Sequence, residues 1–165
     1  MTFAPGKRQA AAMTGIWERD LASDLAAILH WGARDLITLL EPHEFGELAI
    51  PDLPTQARTL GLRWHGLPIT DGEAPDHRFL ARWTTLGPQL VSDINAGARV
   101  VVHCKGGLGR AGTVACLLLL ESGAAANAND AILQVRAVRR GAIETVAQET
   151  FLRAWPRPSF GAYIS

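Results

Sequence analysis

Three consecutive valines, Val100–Val102, run through His103 into Cys104, a loop with glycines at 106, 107 and 109, Arg110 and then an apolar helical run. Side chains alternate faces along a strand, so β-branched residues at successive positions mark a strand buried on both sides. Such a strand needs helices above and below it, which points to an α/β architecture. The rest of the chain supports this. A helix is expected over about 20–31, with Leu21, Leu25, Ile28 and Leu29 on one face and Gly32 after its last turn. "LITLL", 36–40, reads as a buried strand, and 41–54 reads as loop. Pro51 and Pro54 frame a short helix to about Leu60, closed by Gly61, and "LRWHGLP" is a further strand. Asp76 is placed to cap a helix running to about Ala96, bent near Pro88. Helices follow at about 110–121, 129–140 (capped by Asn129) and 143–155, stopped by Gly123, Gly141 and Pro156. The expected fold is a central, mostly parallel sheet flanked by helices, with 1–165 forming one domain.

The chemistry sits in the loop. Cys104 and Arg110 are separated by five residues, three of them glycine. Glycine permits positive φ, which turns backbone N–H groups inward. The helix that starts near Arg110 points its partially positive N-terminus at the same spot. Inward amides and a helix end form a cradle for a tetrahedral oxyanion, and the same field favours a thiolate at Cys104. Arg110 adds a planar fork able to grip two phosphate oxygens. A glycine-rich turn alone is weak evidence. His-Cys, three glycines, Arg and Ala-Gly-Thr between a strand and a helix is a far more specific combination. Cys116, on the apolar side of the next helix, reads as inert packing.

Lys plus Arg number 16 and Asp plus Glu number 16, so any preference for anions has to be local. That balance gives no pull toward nucleic acid or membrane. Two cysteines make no disulfide framework and suit a reducing compartment. No apolar run is long enough for a membrane span or signal peptide, so the cytoplasm is the expected location. No metal-ligand spacing is present, and no metal or cofactor is expected.

"HCKGGLGRAGT" resembles the signature of the cysteine-dependent protein tyrosine and dual-specificity phosphatases, and more narrowly that of the cyclin-dependent-kinase-associated phosphatase group and its bacterial relatives. "LPITDGEAPD" resembles the group's general-acid loop, and "RRGAIETVAQETFL" its late helix. "APGK" and "RDLASDLAAILHWGARDLITLLEPHEF" match its opening more loosely, so the resemblance runs from about Pro5 to Trp155. It implies the compact dual-specificity fold and hydrolysis of phosphotyrosine, with phosphoserine or phosphothreonine as further substrates, in proteins. Cys104 would be the nucleophile. Lys105, Gly106, Gly107, Leu108, Gly109 and Arg110 would form the phosphate-binding loop, and Asp71 would act as acid and then base. His103, Thr113 and Gln148 would support them. The partner implied is a phosphorylated protein, met by a monomer. Without the resemblance, Asp71-Gly72 is an ordinary turn signal, while Asp76 reads as a cap.

Two positions depart from the family pattern. Ala111 stands where many relatives carry a Ser or Thr that eases departure of the thiolate. Glu144 stands where many carry a water-positioning Gln, leaving Gln148 as the candidate. Trp64 and Phe45 are candidates for stacking a phosphotyrosine ring by neighbourhood alone. Arg136, Arg139 and Arg140 read as a solvated helix face, and His30, His43, His65 and His77 as structural or exposed. The alternatives are a phosphoinositide phosphatase, which Lys105 suits and Leu108 does not, a sulfurtransferase, and a non-catalytic phosphoprotein-binding module. Cys104, Arg110 and Asp71 together argue against the last.

Overall fold

The computed structural model describes residues 1–12 and 15–156. The chain opens with an antiparallel pair, β1 (Arg8–Ala12) and β2 (Gly15–Glu18), followed by α1 (Leu21–His30) and β3 (Ala33–Thr38). Two short helices, α2 (Pro42–Glu47) and α3 (Leu53–Thr59), lead to β4 (Arg63–Gly66). Then come α4 (His77–Asn95), β5 (Arg99–His103), α5 (Gly109–Glu121), α6 (Ala128–Val138) and α7 (Val146–Ala154).

Strands β4, β3 and β5 form a parallel sheet in that order, with Leu36 level with Trp64 and Val101, and Ile37 level with His65 and Val102. Parallel neighbours require crossovers, which α2–α3 and α4 supply. The sheet is covered on both faces, as the valine run requires. Leu36 and Val101 join Leu25, Leu48, Ile50 and Leu53 in one core. Ile37 and Val102 join Phe79, Trp83, Val114 and Leu117 in the other. No helix among the described residues is long and apolar enough to cross a membrane.

Several element boundaries differ from the sequence reading. The strand expected at 36–40 starts earlier and ends at Thr38, because Leu39 and Leu40 are apolar for burial on opposite cores rather than for pairing. The segment read as loop contains α2, whose first residue is Pro42 and whose Glu44 side chain accepts from Glu41 N at 2.8 Å. Asn127, not Asn129, caps α6 by accepting from Asp130 N at 3.1 Å. The last helix starts at Val146 with Thr145 as its cap, because Ile143 at φ +58° cannot be helical. The β1–β2 pair is not among the expected elements; both strands are short and β1 is alanine-rich, so their alternation is faint. Asp76 does cap α4, accepting from Arg78 N at 2.9 Å and Phe79 N at 3.2 Å.

Residues before β1 run beside β5. Thr2 N donates to Val102 O at 2.9 Å, and Ala4 N to Lys105 O at 3.4 Å. This covers an edge of the sheet that would otherwise expose unpaired amides. It also presses on the loop after β5. Gly107 has φ +71°, and a Cβ there would come within 3 Å of the Thr2 and Phe3 backbone.

Candidate active site

β5 delivers Cys104 and α5 delivers Arg110, so one strand-to-helix turn holds both ends of the loop. Cys104 is 3% exposed, and its Sγ accepts a hydrogen bond from Gly107 N at 3.2 Å. The left-handed turn at Gly107 aims that amide inward, as the glycine pattern suggested.

Arg110 is buried at 1% exposure. Glu44 on α2 grips it with both oxygens, Oε2 to Nη1 at 2.6 Å and Oε1 to Nη2 at 2.9 Å. Nη1 also reaches Ile69 O at 3.1 Å and Leu39 O at 3.4 Å. Burial alone would raise the Glu44 pKa, but hydrogen bonds from Arg110 and the Glu41 amide outweigh it and hold the carboxyl below its ordinary range. Glu44 is a site residue that the sequence reading missed. The available signal was Pro42 followed closely by Glu44, a helix-start pattern. Removing one partner of a buried pair leaves an uncompensated charge, so Glu44→Ala should destabilise the fold by about 3–5 kcal/mol. Urea unfolding measures this; a loss below about 1 kcal/mol would mean that Arg110 is not held by Glu44.

Asp71 reaches the same guanidinium, its Oδ1 3.0 Å from Arg110 Nη2, and its side chain is 69% exposed. Its loop is tied to the turn before α7. Thr145 Oγ1 donates to Gly72 O at 3.0 Å, and Gln148 Nε2 to Glu73 O at 3.2 Å. Gln148 is fully buried and its Oε1 accepts from Glu144 N at 2.9 Å. Glu144 in turn accepts from Gly109 N at 2.8 Å. One turn thus fastens the Cys104 loop to the Asp71 loop. Ile143, β-branched and left-handed, is the strained residue that sets this turn.

His103 is fully buried. Trp64 Nε1 donates to Thr38 Oγ1 at 2.8 Å, which frees the Thr38 hydroxyl to donate to His103 Nε2 at 2.7 Å. The remaining ring N–H, on Nδ1, faces Cys104 O at 3.4 Å. Burial pushes the His103 pKa down to about 4, so the ring is neutral near pH 7. The unfolded chain therefore takes up a proton below its ordinary value of about 6.5 that the folded chain refuses until about pH 4, and stability should fall across that window by about 3 kcal/mol. Denaturant melts at stepped pH check this: His103→Asn should flatten the slope, and an unchanged slope would contradict it.

The other expected residues fall as follows. Thr113 is buried, with Oγ1 donating back to Gly109 O at 2.9 Å. Lys105 Nζ lies 3.5 Å from Glu47. Gly106 O accepts from Arg139 Nη2 at 3.3 Å. Trp64 and Phe45 are half-buried and pack against the α1-side core. Arg136 is not part of a solvated face either. It holds Ala142 O at 2.9 Å, Ile143 O at 2.8 Å and Glu149 at 2.7 Å, stabilising the strained turn. Burial pushes the Cys116 thiol up to about 12, in keeping with inert packing.

The chain is similar to known proteins over most of its length. The family model described as "PTP-SAK: Swiss Army Knife protein, DSP-PTPase phosphatase domain" matches residues 12–152. Cyclin-dependent kinase inhibitor 3 of Mus musculus is 30% identical over 148 residues, 89% of this chain and 68% of that protein. Protein tyrosine phosphatase type IVA 3 of Bos taurus is 39% identical over 88 residues, 53% of this chain and 49% of that protein. Among solved structures, kinase associated phosphatase with its catalytic-site cysteine changed to serine matches with a TM-score of 0.78 at 26% identity, over 91% of this chain and 80% of that one. Tk-PTP in its active form matches with a TM-score of 0.66 at 27% identity, over 79% and 82%. The chain belongs to the DSP-PTPase domain family of protein tyrosine and dual-specificity phosphatases, enzymes that hydrolyse phosphate monoesters.

Proposed function

We propose that residues 1–165 act as one domain that dephosphorylates proteins through a phosphocysteine on Cys104, favouring phosphotyrosine and accepting phosphoserine or phosphothreonine. The observation that carries this is the meeting of Cys104 Sγ, under the Gly107 amide at 3.2 Å, with an Arg110 that Glu44 holds and Asp71 touches. Arg110 Nε is buried and unpaired; a phosphate oxygen would satisfy it.

In the first step the Cys104 sulfur attacks phosphorus and the bond to the leaving oxygen breaks. Asp71 gives its proton to that oxygen. Arg110 and the amides from Lys105 to Arg110 hold the equatorial oxygens. In the second step Asp71 takes a proton from water, the water oxygen bonds to phosphorus, and the S–P bond breaks to return the thiolate. His103, neutral and tethered to Thr38, shapes the loop rather than carrying protons. Gln148 and Glu144 set where the water enters. The work is done by a monomer in the cytoplasm, on groups supplied by the chain itself.

Ala111 is fully buried in the first turn of α5 and has no hydroxyl to aid thiolate departure. An activated aryl phosphate should therefore show a pre-steady-state burst, and Ala111→Ser should shrink the burst while raising kcat. No burst and no gain would show that the second step is not limiting. The substrate class is tested by a panel of phosphotyrosine peptides, phosphothreonine peptides and phosphoinositides. Preferential turnover of the phosphopeptides supports the reading, and turnover confined to phosphoinositides overturns it.

A further inference from the structure

The loop that carries Asp71 has a second fastening, which the catalytic steps leave unused. Asp71 sits on the segment before α4, whose backbone turns at Gly72 with φ +77°. The Asp71 side chain is mostly exposed, so tethers on either side of it, rather than packing, have to fix where it points. After Asp71 the segment is tied to the turn before α7, through Gly72 O and Glu73 O. Before Asp71 it is tied by Thr70, Glu41 and Arg78. Glu41 is 8% exposed and stands at the entry to α2. Arg78, in the first turn of α4, donates to both of its oxygens, Nη2 to Oε1 at 2.7 Å and Nη1 to Oε2 at 3.3 Å. Thr70 Oγ1 donates to the same Oε1 at 3.0 Å and lies 3.5 Å from Arg78 Nη2.

Arg78 also donates from Nε to Asp76 Oδ2 at 2.7 Å. One guanidinium thus reaches both ends of the 70–76 loop, Thr70 just before Asp71 and Asp76 beyond it. Its planar fork holds these partners in fixed directions. The place where the loop is anchored matters equally. Glu41 N donates to Glu44 Oε2 at 2.8 Å, and that oxygen also accepts from Arg110 Nη1 at 2.6 Å. Arg110 Nη1 reaches on to Ile69 O, the residue before Thr70, at 3.1 Å. The start of α2 therefore holds Arg110 through Glu44 and the Asp71 loop through Glu41. An exposed ion pair adds little to stability. A buried carboxylate that gathers Thr70 and Arg78 beside Asp71 instead fixes geometry.

We propose that Glu41 and Arg78 are positioning residues for the general acid, clasping the 70–76 loop onto α2 so that Asp71 stays in register with Arg110. The inference rests on the phosphatase reading given above, with Asp71 as its acid.

The test measures kcat/KM over aryl phosphates of rising leaving-group pKa for Glu41→Gln, Arg78→Met and Thr70→Val, each alone and combined with Asp71→Asn. A misplaced proton donor slows most the esters whose leaving oxygen needs the proton. Glu41→Gln and Arg78→Met should each lower kcat/KM about tenfold for phenyl phosphate, and by less than about threefold for a dinitrophenyl phosphate. Thr70→Val should give a smaller loss with the same slope, and Thr70→Ser should recover it. On the Asp71→Asn background the same substitutions should add almost nothing to the loss on phenyl phosphate, as expected of residues that act through one group. Equal losses along the series, or losses that multiply with that of Asp71→Asn, would overturn the inference and leave the clasp a structural tie. Wild-type rates in Glu41→Gln and Arg78→Met, beside a steep Asp71→Asn series, would overturn it as well. Should Arg78→Met not fold, Glu41→Gln and Thr70→Val decide by the same slopes. A flat Asp71→Asn series in a protein that does turn over would overturn the acid assignment and the inference with it. Wild type that hydrolyses no phosphate ester at all would instead overturn the phosphatase reading.

Discussion

Cys104→Ser should reduce turnover of an aryl phosphate by about 10⁴-fold or more while leaving phosphate-ester binding largely intact. The reason is local. The sulfur sits beneath the Gly107 amide at the end of β5. A serine hydroxyl keeps the shape but stays protonated. Arg110→Lys should fail almost as badly. Glu44 engages both Nη atoms of the guanidinium, and an ammonium cannot reproduce that fork or still reach a phosphate. Substantial residual hydrolysis by a clean Cys104→Ser preparation would remove Cys104 from the mechanism. Cys116 offers a control within the same chain. Its thiol is fully buried and pushed up to about 12, so iodoacetate should label Cys104 first and phosphate should protect it.

Asp71→Asn should slow hydrolysis of esters with poor leaving groups by about 10²–10⁴-fold, and of activated aryl phosphates much less. A good leaving group departs without a proton; a serine or tyrosine oxygen does not. The geometry that motivates this is the 3.0 Å approach of Asp71 to Arg110, which sets the carboxyl beside the guanidinium although most of its side chain faces solvent. Measuring kcat/KM across a series of aryl phosphates of rising leaving-group pKa checks it. A loss equal for all members would mean that Asp71 positions Arg110 rather than delivering a proton.

The parts of this site differ in how far the sequence discloses them. The nucleophile, the amides and the arginine occupy seven consecutive positions, 104–110, and three of these are glycines, of which Gly107 takes a left-handed φ of +71° and Gly109 leaves no room for a Cβ beside Glu144. Local chemistry of that kind is readable without a structure. Asp71 was readable only through resemblance, because an Asp-Gly pair is ambiguous by itself. Glu44 was not readable. It meets Arg110 across 66 positions of sequence, from a six-residue helix with Phe45 as its main apolar residue and Gly46 weakening the pattern. Helix ends drifted where a side chain chose a different cap, as at Asn127, or where backbone strain intervened, as at Ile143. Fold class, by contrast, followed from Val100–Val102 and the alternation around them, because a strand buried on both faces leaves few architectures to choose from.

The central claim is that phosphate passes through Cys104. It is tested most directly by mixing the protein with an activated aryl phosphate, quenching with acid within the first turnover, and weighing the peptide that contains Cys104. The account predicts one added phosphoryl group on that cysteine, formed with the burst of released phenol and absent from Cys104→Ser. A full first turnover of phenol with no phosphoryl group on Cys104, or with the group on another residue, would contradict it.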